Sequence, residues 1–422
     1  MSDMSSMSRE SKKQQLRRGM ITSDQQPAPP RGWVKDEPPS GIRHKLLSRR
    51  LLLFLLIPAL IISAIGAYLY QRFHTYGSYE INWKISLNEG SLVGYESFGN
   101  NVLKYTKDGA TYMDNKGKAV WTESYEMKSP IAAVNGNYAV IADRQGNHVF
   151  ICNTEGKVGE AVTLLPITNA SVSGLGLVAV TVEDSTSSFI YFFRKDGSSL
   201  DLSIRANMAG NMGYPLDISL SKDGTQMMCS FVHLEGGELR ERIAFYNFAE
   251  VGKNEPTRMV GGFDEMFNNT VVPRVAYMQE PYSCAFGGNG PVFFSSQNLA
   301  SPEMIAQTSM AEESIESIFY SDEYAGVIVH NNIGEHQNRM EVFRADGSHA
   351  LSKEFTYDYA QADIDGELII LYNDNSCKIF NMAGVEKFNA TFDFSILKIR
   401  KGRRPNTLIV MGTQEMMEIK LK

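Results

Sequence analysis

The chain has 422 residues, 43% of them hydrophobic, and a formal net charge of −7. That length exceeds a small domain but suits one large closed β architecture, and the apolar fraction excludes a wholly disordered chain. The charge is split. Residues 1–50 carry a net +6 and the remainder −13, so the long acidic part is a poor match for non-specific nucleic-acid binding.

Residues 1–42 are rich in Ser, Gln, Lys, Arg and Pro and read as a disordered tail. Its segment "QQPAPPRGWVKDEPPSG" reads as a solvated linker, with a proline-motif partner as the alternative. Residues 43–72 form a basic flank and an apolar segment. Within it "LLLFLLIPALIISAIGAYLY" (51–70) is 20 residues without a charge, the length that crosses a bilayer as a helix. Pro58 is tolerable in such a span. Arg43, Lys45, Arg49 and Arg50 precede it, whereas only Arg72 and Lys84 follow closely. The positive-inside rule therefore predicts a single-pass plasma-membrane protein with its N-terminus inside and its bulk outside. A cleaved signal peptide is the alternative; the tail and the apolar run are both too long for one. Ala59, Ser63 and Ala67 make a small-xxx-small row, a candidate packing face for a weak homodimer through the span.

Beyond the span the pattern changes to short strands. "YAVIADRQGNHVFICNTEGKVG" (138–159) holds two alternating runs and two glycine-bearing breaks, the mark of a hairpin. Gly146 and Gly156 are the positions expected to need positive φ. The same order recurs in "VLKYTKDGATYMDNKGKAVW" (102–121), "LVAVTVEDSTSSFIYFFRKDGSSL" (177–200), "YAGVIVHNNIGEHQNRMEVFRADGSHAL" (324–351) and "ELIILYNDNSCKIFNMAGVEKF" (367–388). The glycine of the second turn falls at 117, 156, 197, 347 and 384, with neighbouring gaps of 39, 41 and 37 residues. Further copies lie at 225–248 and, more weakly, at 282–297. Four strands per unit near 40 residues is the signature of β-propeller blades. The last copy, "NTLIVMGTQEMMEIKLK" (406–422), stops after its third strand, and "YEINWKISL" (79–87) stands alone before the first. Pairing the two closes the ring and removes exposed edges. The expected fold is all-β: a propeller over 76–422 with eight four-stranded blades, or seven if the weak copy is none.

The stretch "SPIAAVNGNYAVIADRQGNHVFICNTEGKV" (129–158) resembles the blade of quinoprotein-like (PQQ-like) and WD40-like propellers. The layout of basic tail, one span and propeller resembles an uncharacterised bacterial family, a domain of unknown function. The resemblance implies a rigid ring whose loops present two faces. It does not bring the quinoprotein activity, because the adjacent cysteines and regular docking tryptophans of that family are missing here. Only Trp83 and Trp121 lie beyond the span.

Chemistry is sparse. Cys152, Cys229, Cys284 and Cys377 form no CxxC pair and read as buried small hydrophobes. No HxxxH or HExxH spacing occurs, and His330 and His336 flank a turn. "DIDGE" (363–367) lacks the full Ca²⁺ loop pattern and reads as a turn. No catalytic, cofactor or metal residue is expected. Asn169, Asn268 and Asn389 begin N-x-S/T triplets, relevant only in a glycosylating pathway. One run stands out: "KIRKGRR", with Lys398, Arg400, Lys401, Arg403 and Arg404, expected in the first loop of the closing blade as an anionic-partner patch. The functional expectation is a membrane-anchored protein-binding or scaffold module at the cell envelope, by analogy with the similar-bladed outer-membrane assembly lipoprotein. The alternative is an envelope enzyme or a sugar- or polymer-binding protein using the channel mouth.

Overall fold

The stretch 138–159 folds as two antiparallel strands, Tyr138–Asp143 and His148–Asn153, with Ala139 opposite Cys152 and Ile141 opposite Phe150. Its side chains alternate between two different cores. Val140, Ala142, Val149 and Ile151 pack towards the following blade, and Ala139, Ile141, Phe150 and Cys152 towards the preceding one. Both faces are buried, so the runs are almost continuously apolar. The turn departs from expectation at one residue. Gln145, not Gly146, takes the positive φ of 66°. Gly146 is required for space: a Cβ there would lie 2.1 Å from the Asp143 carboxylate, which caps the amides of Lys128 and Ser129 at 2.9 and 2.8 Å. Gly156 does take positive φ, at 143°.

The structure is a computed structural model, which describes residues 49–87, 93–207, 212–264, 267, 270–310, 314–331 and 334–422. The tail 1–42, its flank 43–48 and Asn268 lie outside the described residues. Eight four-stranded antiparallel sheets follow in chain order. Blades 1 to 7 span 93–124, 130–162, 167–206, 214–263, 274–307, 315–355 and 361–391. Blade 8 joins Ile396–Lys401, Thr407–Gly412 and Glu415–Leu421 to the N-terminal strand Tyr79–Ser86. The weak copy near 282–297 is a full blade, so the count is eight and not seven. Its first strand, Arg274–Tyr277, has only four residues, too few to show a period.

Closure runs through Tyr79 opposite Leu421 and Ser86 opposite Glu415, with one bulge between Ile81 and Trp83. A Lys84–Glu415 ion pair of 2.6 Å tightens it. Eight apolar clusters fill the eight gaps between neighbouring blades, so the core is a ring of layers.

The helix runs Arg49–Phe73, 25 residues with Pro58 inside, or about 37 Å at 1.5 Å per residue. Leu56–Phe73 is long and apolar enough to cross a membrane. Its last ten residues, from Ala64, belong to the same compact unit as the propeller.

Candidate functional site

Strand order fixes two faces on every blade. The first strand of each blade is innermost, since first strands contact their counterparts in the neighbouring blades. The first-to-second and third-to-fourth turns share one face; the second-to-third turns and the blade-to-blade loops share the other.

Two polar clusters tie the inner strands together. In the first, the Asp217 carboxylate accepts from Asn169 Nδ2 at 2.7 Å and the Val275 amide at 2.8 Å, and pairs with Arg274 at 3.4 Å. It thereby joins blades 3, 4 and 5. Burial pushes the carboxyl up, against the pull of Arg274 and the two donors. In the second, Lys398 Nζ meets Glu96 at 2.9 Å, joining blades 8 and 1. Asp363 of blade 7 accepts from the Tyr372 hydroxyl at 3.0 Å. Burial alone would lower Lys398, but Glu96 and Asp363 outweigh it and hold the ammonium above its usual range. These charges are satisfied by one another. The arrangement staples the ring across blades 3 to 5 and blades 7, 8 and 1.

The basic run is not one loop patch. Lys398, Arg400 and Lys401 lie in the inner strand Ile396–Lys401. Besides the Lys398 pair, Arg400 donates to the Asn101 carbonyl of blade 1, and the Lys401 amide donates to Asp365 at 2.8 Å. An innermost strand needs polar side chains on its channel edge, so a charged run is compatible with strand there. Only Arg403 and Arg404 sit in the following turn, and both are exposed. Ala59, Ser63 and Ala67 are exposed on the helix. His330 lies 3.5 Å from Glu316 and His336 3.1 Å from Thr356, so the two histidines have separate partners. The four cysteines are free and buried, and burial pushes the Cys152 and Cys377 thiols up to about 12. Among the described residues no cluster of three or more His, Cys, Asp or Glu could hold a metal ion.

Two concave sites lie on opposite faces. The first, about 820 Å³, is lined by Asp358, Tyr359, Asn373, Asp374, Asp393 and Phe394 among others. It sits where the loops entering blades 7 and 8 meet the second-to-third turn of blade 7. The Asn373 side chain donates to the Asp358 carbonyl at 2.7 Å, and the Ile396 amide to the Asp374 carbonyl at 2.7 Å. The loops are thus held while all three carboxylates point outward, exposed. The sequence carries a signal for this site. "YDY" (357–359) and "FDF" (392–394) repeat at equivalent loops, 35 residues apart. In each, the aromatic residues pack inward and the Asp stays out.

The second site lies on the opposite face. Asn82, Trp83, Asn115, Lys116, Arg403 and Arg404 line a notch of about 670 Å³ with Pro405 and Glu418. The chain leaves its helix onto this same face. Asn381 Nδ2 donates to the Arg72 carbonyl at 2.7 Å, and Lys387 Nζ to Gln71 at 2.8 Å and to His74. A cation and an amide thus cap the last carbonyls of the helix.

A family model described as a family of unknown function, DUF5711, matches residues 72–421. No curated protein matches. Among solved structures, Sqt1 from Chaetomium thermophilum aligns with a TM-score of 0.53 at 10% identity, over 79% of this chain and 96% of that one. Chaetomium Sqt1 bound to the N-terminus of the ribosomal protein L10 gives 0.49 at 10%, over 78% and 92%. BamB from Moraxella catarrhalis gives 0.48 at 13%, over 82% and 98%. Likeness at such identities is one of fold. The match by contrast begins at the end of the helix and runs through all eight blades, and the chain belongs to the DUF5711 family.

Proposed function

We propose that the protein is a single-pass scaffold of the plasma membrane, N-terminus inside, whose propeller outside the membrane holds a protein partner at the cell envelope. The observation that carries this reading is the placement of the last turn of the helix and the acidic site at opposite ends of one blade. The helix end is bonded to the third-to-fourth turn of blade 7. Asp358, Asp374 and Asp393 crown the other end of blade 7 and its junction with blade 8. Strands of five or six residues set the two ends roughly 17–20 Å apart. A chain anchored at one face presents the other to the outside. Three exposed carboxylates among Tyr359 and Phe394 suit a partner segment that offers basic side chains against an apolar floor. The role proposed is binding without catalysis, and no cofactor enters it.

The test is proximity crosslinking in whole cells, comparing the native chain with the Asp358→Lys, Asp374→Lys, Asp393→Lys variant and with a chain lacking residues 1–42. One extracellular partner kept without the tail and lost with the triple variant is the expected result. A partner lost only on removing the tail would put the binding function on the other side of the membrane.

A further inference from the structure

We infer that the notch formed by Lys116, Arg403 and Arg404 binds the phosphate headgroup of an anionic lipid and seats the propeller face-down on the bilayer. The inference rests on the reading of the helix as a membrane span.

The position is set by bonds already described. The helix carbonyls of Gln71 and Arg72 are held by Lys387 and Asn381. The Tyr76 amide donates to the Lys387 carbonyl at 2.8 Å, and the Tyr76 hydroxyl bonds the Asn406 side chain. Asn406 ends the turn that carries Arg403 and Arg404. The notch is therefore a direct neighbour of the point where the chain leaves the helix, on the face that meets a bilayer first.

The charge is complementary. Lys116, Arg403 and Arg404 are exposed and have no ion pair among the described residues. The one carboxylate in the lining, Glu418, is 4% exposed and accepts from Asn82 Nδ2 at 2.9 Å. The carboxylate of Asp114, beside the notch, is occupied by the amides of Lys116 and Lys118 at 2.8 and 2.9 Å. The lining thus offers three exposed cationic donors, a set that suits phosphate oxygens. A free phosphate shares this chemistry. The lipid is assigned because the site opens beside the helix exit, where a headgroup is held at high local concentration.

The experiment uses the full chain in nanodiscs of phosphatidylcholine, with and without phosphatidylglycerol, read by amide hydrogen exchange at 114–118 and 402–406. Slowing of about threefold or more with phosphatidylglycerol is expected. It is to be abolished in Arg403→Glu/Arg404→Glu and weakened in Lys116→Glu, but kept in Lys107→Glu on the opposite face. Thermal unfolding of each variant confirms that the ring is intact. Equal exchange in both discs overturns the inference and leaves the span reading standing. The same slowing by inorganic phosphate in phosphatidylcholine discs overturns the lipid assignment in favour of a free anion. Failure of the chain to enter discs at all overturns the span reading and this inference with it.

Discussion

Glu241 shows how a single side chain is made expensive by its place. It lies in the third strand of blade 4, Glu238–Asn247, and is fully buried with Oε1 unpartnered. Burial pushes its carboxyl up to about 8, against hydrogen bonds from the Val272 amide and the Ser230 hydroxyl. The folded state therefore keeps a proton that the unfolded chain releases near 4.5. Stability from this group is greatest below that value and falls as pH rises through 8. Glu241→Gln keeps the neutral shape at every pH. We expect it to be near neutral at pH 5 and stabilising by on the order of 2 kcal/mol at pH 8.5, in urea titrations at both. A wild-type stability that rises between the two pH values, and does so alike in the variant, would refute the assignment. Burial pushes the Asp217 carboxyl up as well, but Asp217 is also paired with a guanidinium. It has three donors around it, so it acts as a fastener between blades. Neither role can be read from "LDISL" or "RERIAF", because the groups that meet these carboxyls come from other strands and loops: Asn169, Arg274 and Val275 for Asp217, Ser230 and Val272 for Glu241.

At the scale of elements, the closing strand matters most. Tyr79–Ser86 covers the outer edge of Glu415–Leu421, whose Met416, Met417 and Ile419 are buried. Without it, that strand offers unpaired backbone groups and an apolar neighbour to any passing chain. Replacing its eight residues by a Gly/Ser segment of equal length preserves the link to the helix while removing the strand. We expect a loss on the order of 5 kcal/mol and concentration-dependent association, measured by unfolding and by light scattering. A monomer of unchanged stability would mean that the ring does not depend on the clasp. The alternation in 79–87 and the missing fourth strand after Leu421 made this pairing legible beforehand. The basic run at 398–404 was not, since charge density suggested a loop while Ile396 and Ile399 already marked a strand edge.

For the whole propeller, stability is distributed around a ring of inter-blade layers. Each blade contributes one face to each of two clusters, so no blade holds a private core. Phe245 is 1% exposed between blades 4 and 5, against Phe263 at 5.8 Å and Phe294 at 5.3 Å between ring centroids. Phe245→Ala is expected to cost about 3–5 kcal/mol and to move one cooperative transition. Near-UV and far-UV circular dichroism should then report the same midpoint. Two separated transitions in the variant would show that blades unfold independently.

The sequence by itself determined what is local. A 20-residue uncharged run implies a helix, and short strands with glycine at a 37–41 residue spacing imply blades, because turn geometry and hydrophobic period are set by neighbours along the chain. The partner of the orphan strand also followed, since a ring leaves one vacancy. The blade count depended on assembly, because four residues of first strand in blade 5 carry too little pattern. Only the tertiary structure decided where function can sit. The acidic site draws on loops spread over 358–395. The basic notch joins residues 82, 116 and 403, far apart along the chain. Such sites exist where a ring brings separate turns to one face, and the distances that create them are set by packing between blades.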